Sequence, residues 1–214
     1  MSQFDLKRVP GCEHYSLKYL LGGRIFSYAH QIHNVLTFEP KTVIEIGVGG
    51  GMVTAALRSL GIEGTTVDIQ PELNPDVIAS VTDLPFKDAS FDVALCCQVL
   101  EHLPFNQFRP ALRELWRVTR VGAIISLPDV TRWGFVAAKL PKIPPFSLNW
   151  TLPRLRPREL QQEQFDRDGH FWEIGFRGHA HRHIKTAMLE AGWTIQSEWR
   201  VPELRWHHFY RLGA

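Results

Sequence analysis

Val43-Ile44-Glu45-Ile46-Gly47-Val48-Gly49-Gly50-Gly51 is an apolar run that ends in a glycine cluster. With Thr42 it reads as a buried strand over 42–46, followed by a turn. Glycine there lets the backbone bend tightly and lets a ligand approach without meeting a Cβ. The turn also delivers backbone N–H groups at the start of a helix, and Met52–Leu60 is helical in pattern, stopping at Gly61. A dinucleotide fingerprint, Gly-x-Gly-x-x-Gly/Ala, would need a small residue at position 52, where Met52 stands. The register is instead Gly47-x-Gly49-x-Gly51, with Glu45 two residues before the first glycine. A carboxylate in that place suits a cationic ligand better than a pyrophosphate, because like charges repel.

Outward from this turn the chain alternates strands and helices. Thr65–Ile69 reads as a second strand ending beside Asp68, an acid placed to accept both hydroxyls of a ribose. A short strand over Val77–Val81 leads to Asp83, within reach of an adenine edge. Phe91–Cys97 is an apolar strand, Asn106–Val118 a helix, and Ala123–Leu127 another strand. This rhythm predicts an α/β fold, a parallel sheet covered on both faces. Upstream, apolar positions from Leu17 to Leu36 suit helices broken near Gly22-Gly23. Downstream, Arg182–Ala191 reads as a helix ended by Gly192, and Trp193–Val201 with Arg205–Leu212 as an antiparallel pair.

Glu45-Ile46-Gly47-x-Gly49-x-Gly51, Asp68, Asp83-Leu84-Pro85-Phe86, Ser90-Phe91-Asp92-Val93 and Val99-Leu100-Glu101-His102-Leu103 occur in that order. Over roughly residues 40–129 the chain thereby resembles class I S-adenosylmethionine-dependent methyltransferases, in particular their small type-11 branch. The resemblance implies a doubly wound, mostly parallel seven-stranded sheet with a C-terminal antiparallel strand. It implies one domain over 1–214. It also implies S-adenosylmethionine as cofactor and S-adenosylhomocysteine as product. Carried over by position, Glu45, Gly47, Gly49 and Gly51 would line the methionine part. Asp68 would take the ribose hydroxyls, Ile69 would pack on the adenine, and Asp83 with Leu84 would meet its amino edge. Gln98 would lie near the methionine carboxylate and the methyl group. Glu101-His102 invites a proton-transfer reading, but the resemblance assigns the pair a structural or cofactor-side role.

Acceptor choice is expected from segments outside those motifs. Residues 1–39 would form a helical lid, in which Tyr28 and Gln31 share one helix face; Tyr15 and Tyr19 belong to the same piece. Asp168-Gly169-His170-Phe171-Trp172-Glu173 packs His, Trp and Glu closely together. His170 or Glu173 can take a proton from an acceptor oxygen or nitrogen, Trp172 can form part of a lid, and a core-capping turn is the other reading. Residues 130–165 carry five prolines and are expected to make an irregular excursion over the acceptor site. Between Thr131 and Arg158 lie six basic residues and no acidic ones, mixed with aromatics. They would suit a phosphorylated, acidic or lipid-linked acceptor or a membrane surface. His179 and His183 share a helix face, yet no Cys or acidic residue near them completes a metal set, so no metal site is expected.

The chain has 214 residues, is 44% hydrophobic and 21% charged, and carries a net charge of +2. That is long enough for a sizeable core and not basic enough to favour nucleic acid. Cys12, Cys96 and Cys97 form no Cys-x-x-Cys pair, the first residues lack the apolar core of a signal peptide, and no apolar run is long enough to span a bilayer. A cytoplasmic enzyme follows as the expectation. Two rivals stand beside it: a cofactor-binding protein of the same fold with no methyl transfer or a different sulfonium chemistry, and a nicotinamide-dependent dehydrogenase, against which Met52 counts.

Overall fold

The computed structural model describes residues 23–139, 146–152, 159 and 169–214. Tyr15, Tyr19, Cys12 and most of the proposed lid lie outside these residues, as do Lys142, Arg154, Arg156, Arg158 and Asp168. In chain order the elements are α1 (Ile25–Leu36), β1 (Thr42–Ile46), α2 (Met52–Ser59), β2 (Glu63–Asp68), β3 (Val77–Ile78), β4 (Phe91–Cys97), α3 (Phe105–Val118), β5 (Thr119–Pro128), β6 (Trp133–Ala138), β7 (Phe146–Thr151), α4 (His181–Glu190), β8 (Thr194–Val201) and β9 (Leu204–Gly213).

Seven strands form one sheet in the order β3-β2-β1-β4-β5-β9-β8. The pairs from β3 through β5 are parallel, and β9 runs antiparallel to both β5 and β8. Strand order reverses between β2-β1 and β4-β5, so a crevice opens beyond the carboxyl ends of β1 and β4, where open α/β sheets bind ligands.

The two faces of the sheet follow the two-residue period of its strands. Ile44, Ile46, Ala94 and Cys96 point into a core completed by Leu112 and Leu115 of α3, Ile184 and Met188 of α4, Trp172 and Trp193. Val43, Val93 and Leu95 point the other way, onto Val35 of α1 and Val53 and Leu57 of α2. Cys96 and Cys97 therefore part to opposite faces, both reduced.

Two sequence motifs turn out to staple the sheet. Asp92 accepts the N–H groups of Lys41 and Thr42 (2.8 and 3.0 Å) and pairs with Arg120, which holds β4 beside β1. Leu84 is buried, its N–H donates to Glu114, and Arg117 donates to the carbonyls of Leu84 and Phe86 (3.0 and 2.7 Å). Asp83-Leu84-Pro85-Phe86 is thus clamped to α3.

The 130–165 excursion contains structure the prolines had argued against. β6 and β7 pair antiparallel from Trp133↔Thr151 to Ala138↔Phe146. The five prolines fall outside the described residues of the hairpin. Phe135, Val136, Leu148 and Trp150 of this hairpin are exposed. Among the described residues no helix is long and apolar enough to cross a membrane.

Candidate functional site

The glycine turn takes its shape from left-handed backbone at Gly47, Gly49 and Gly51 (φ +82°, +53° and +70°). At Gly47 a Cβ would also stand 2.3 Å from a Val99 methyl, so both angle and space demand glycine. Beside this turn lies a cavity of about 610 Å³, within the range of small-molecule and cofactor sites. Its wall includes Glu45, Gly47, Gly49, Asp68, Ile69 and Gln98, together with Tyr28 and Gln31 of α1 and His170 and Glu173. Residues separated by well over a hundred positions thus meet in one crevice.

Each of these groups is held by local bonding. Asp68 closes β2 and accepts the N–H groups of Val48 and Gln70 (both 3.0 Å), which ties the glycine turn to the next strand. Gln98 adopts a left-handed angle (φ 57°) that non-glycine residues seldom take. Its N–H donates to the Ser126 carbonyl (2.9 Å) and its side-chain amide to the Ser126 hydroxyl (3.2 Å). The strained backbone is held from both sides, and the residue lines the cavity.

Glu45 is 5% exposed and accepts from the N–H and hydroxyl of Thr54 in the first turn of α2. Burial pushes its carboxyl up to about 7, against the opposing pull of the Thr54 bonds. A carboxyl raised on folding favours the native state most below its unfolded value, near 4.3, and loses that advantage as pH climbs through about 7. Glu45→Gln should therefore gain stability relative to the parent by about 2 kcal/mol between pH 5 and pH 8. Urea midpoints at the two pH values check this, and an unchanged difference would remove the assignment.

Four expectations need correction in placement. Asp83 is exposed and absent from the cavity wall; Ala79, Ser80 and Val81 line it instead, because the chain turns away after β3. Leu84 sits in the core, its N–H already taken by Glu114. Gly51 caps α2 without reaching the cavity. Trp172 is fully buried, with its indole N–H on the Leu103 carbonyl (3.0 Å) and its ring edge-on to Phe105 and Phe108, so it packs the core and does not close a lid.

The far end of the cavity gathers residues the sequence did not bring together. Glu101 and His102 lie in a short 3₁₀ turn after β4 and face His170, whose ring centre is 4.8 Å from that of His102. The Phe171 N–H donates to the Glu101 carbonyl (2.8 Å), and the Ile174 N–H to Pro128 (2.9 Å), which pins the 169–174 segment against both strand ends. Glu173 Oε1 lies 2.7 Å from His170 Nδ1. Across from them, Arg24, Ser27, Tyr28 and Gln31 form one stripe of α1 and its entry. His207 Nδ1 is 2.8 Å from the Ser27 hydroxyl, and burial holds this imidazole well below its usual pKa, hence neutral. Only the three-dimensional register of β9 could have revealed His207.

Comparison with known proteins agrees with this geometry. Residues 44–127 match the family model described as Methyltransferase domain. A protein named "Uncharacterized methyltransferase" from Mycobacterium sp. (strain KMS) is 37% identical over 103 residues, covering 44% of this chain and 40% of the relative, so well under half of that curated relative is spanned. Among solved structures, the N-methyltransferase NodS from Bradyrhizobium japonicum WM9, in complex with S-adenosylhomocysteine, aligns with a TM-score of 0.59 at 12% identity. It covers 89% of this chain and 87% of that one. The Burkholderia thailandensis 1,6-didemethyltoxoflavin-N1-methyltransferase, with bound 1,6-didemethyltoxoflavin and S-adenosylhomocysteine, aligns with a TM-score of 0.53 at 17% identity, covering 96% of this chain and 91% of that one. Strand order, glycine turn and family match agree: residues 44–127 are similar to the Methyltransferase domain family, and the chain shares the fold of solved methyltransferase structures.

Proposed function

We propose that this chain binds S-adenosylmethionine and transfers its methyl group to a small-molecule acceptor. The observation that carries the reading is the single crevice whose wall carries the glycine turn and Asp68 together with Glu101, His102, His170 and Glu173. The glycine turn and its neighbours fit the cofactor. Gly47 and Gly49 let it approach the backbone, Asp68 offers acceptors for ribose hydroxyls, and Ile69, Leu73 and Val81 offer apolar surface to an adenine. Glu45 and the carboxylate-rich wall suit a cation.

When bound, the cofactor supplies the methyl carbon and the sulfonium leaving group. The chain's own residues hold the acceptor in line and keep water out. Tyr28 and Gln31 cover the crevice from α1. The Glu173 carboxylate, accepting from His170 Nδ1, turns Nε2 of that ring toward the acceptor, where it can receive the proton of an oxygen or nitrogen. The exposed apolar groups of the β6–β7 hairpin, with Arg132 and Lys139 flanking β6, favour an acceptor with an apolar or lipid-linked part and an anionic one.

Isothermal titration tests the binding half. S-adenosylmethionine and S-adenosylhomocysteine should bind and NAD should not. Asp68→Ala should cost about 1–3 kcal/mol of that affinity through lost hydrogen bonds. Micromolar NAD binding with no response to either sulfur nucleoside would overturn the reading. For the transfer half, methyl-labelled cofactor is incubated with aqueous and lipid extracts. Label should appear in an extractable small molecule; its absence from both would favour a protein that binds the cofactor without transferring from it.

A further inference from the structure

We propose that Glu101, His102 and His170 bind a divalent first-row transition-metal ion at the acceptor end of the cavity, where the ion would hold the acceptor through an oxygen. The inference rests on the preceding reading for the location of the acceptor, while the metal site itself rests on three observations.

One potential ligand atom from each of the three residues lies within 4.8 Å of the other two. This closeness comes from the backbone bond between Phe171 and Glu101, which docks the 169–174 segment on the turn after β4.

Glu101 is fully buried, faces the cavity, and among the described residues neither of its carboxyl oxygens has a hydrogen-bond partner; His170 Nε2 stands 3.9 Å away, within ion-pair range of a protonated ring but beyond hydrogen-bond distance. A buried carboxylate in that condition is costly unless a cation meets it.

Both imidazoles are oriented as metal ligands are. His170 Nδ1 sits 2.7 Å from the Glu173 carboxylate and His102 Nδ1 sits 3.2 Å from the Gly169 carbonyl. Each neighbour can only accept when Glu173 is ionised, so each Nδ1 carries the proton and each Nε2 the lone pair. A carboxylate or carbonyl on the second ring nitrogen is the usual support of a ligating histidine. Two imidazoles with one carboxylate suit Zn²⁺, Fe²⁺ or Mn²⁺ and leave coordination positions open.

The other described cluster of this kind lacks these features. Asp129, His181 and His208 converge, but the carboxylate oxygen they share also takes the Arg200 guanidinium at 2.5 Å, and a fixed cation already fills the place of a metal.

An ion at Glu101, His102 and His170 would occupy His170 Nε2, so that the ring no longer takes the proton itself, and would polarise a bound acceptor hydroxyl so that its proton passes to water. The oxygen then takes the methyl carbon, the carbon–sulfur bond breaks, and its electron pair stays on sulfur. The products balance as methyl ether, S-adenosylhomocysteine and one proton.

Chelator-stripped full chain is dialysed against micromolar Zn²⁺, Mn²⁺ and Co²⁺, and bound metal is counted by mass spectrometry. One ion per chain is expected, with visible Co²⁺ absorption showing imidazole and oxygen ligation. Glu101→Gln and His170→Ala should lose stoichiometric binding, and Glu173→Gln should weaken it by about 10–100-fold. S-adenosylmethionine titration on the same samples reports whether each variant is folded. Metal below a tenth of an ion per wild-type chain, or full retention in folded Glu101→Gln and His170→Ala, overturns the site. Cofactor binding without metal sinks this inference alone. Metal binding without cofactor binding sinks the methyl-transfer reading and leaves the site standing.

Discussion

His170→Ala is expected to lower turnover by about 10²–10⁴-fold, the usual worth of a positioned proton-transfer group, while S-adenosylmethionine affinity stays within a few-fold of the parent. The asymmetry follows from where the ring sits. It is supported by Glu173 on one side and lies near Glu101 and His102 on the other. Loss of the imidazole leaves the glycine turn untouched. Steady-state rates with the acceptor found by labelling, set beside cofactor titration, separate the two quantities. A turnover within threefold of the parent would remove His170 from the reaction, whether as proton acceptor or as metal ligand.

The second large effect concerns stability. Asp129 ends β5 at the base of the 169–176 segment, 2% exposed, and its carboxylate accepts from Thr131, Arg200 and two histidines, His181 and His208. Burial pushes this carboxyl up, but the bonds from His181 and His208 and the Arg200 charge outweigh it and hold it well below the usual carboxylate range. Asp129→Ala leaves the Arg200 guanidinium buried without its partner, which should cost about 3–5 kcal/mol. Chemical denaturation would measure it. Because the folded carboxyl is depressed, the stabilisation is present above the unfolded value near 3.9 and is lost as pH falls below it. A variant destabilised by less than about 1 kcal/mol would show that the guanidinium finds water instead.

The same cluster connects β5, β8, β9 and the start of α4, and the bridge Asp129↔Ile174 couples it to His170 and Glu173 four residues earlier and one residue earlier in the chain. A loss at Asp129 should therefore also loosen the acceptor end, whereas His170→Ala should not unfold the protein. The two variants thus probe different levels of the structure.

Much of the architecture was legible in the residues alone. Alternation at Val43-Ile44-Glu45-Ile46, the glycines that follow and the helix stop at Gly61 are local signals, read from a few neighbours along the chain, and they determined β1, the turn and α2 within a residue. The ordered motifs likewise pointed to the sheet, because some of them hold its parts together, as Asp92 does for β1 and β4. What only the tertiary structure decided is which side chains share a space. Asp83 and Ser80 are three residues apart, and the direction of the chain after β3 brings Ser80 to the cavity and leaves Asp83 in solvent. The chain bends at Phe171, and His170 and Glu173 reach the crevice while Trp172 and Ile174 enter the core. Glu101, His102, His170 and His207 meet through strand pairing and loop docking over large sequence separations, and such convergence has no signature in local pattern, since it depends on the packing of the whole sheet.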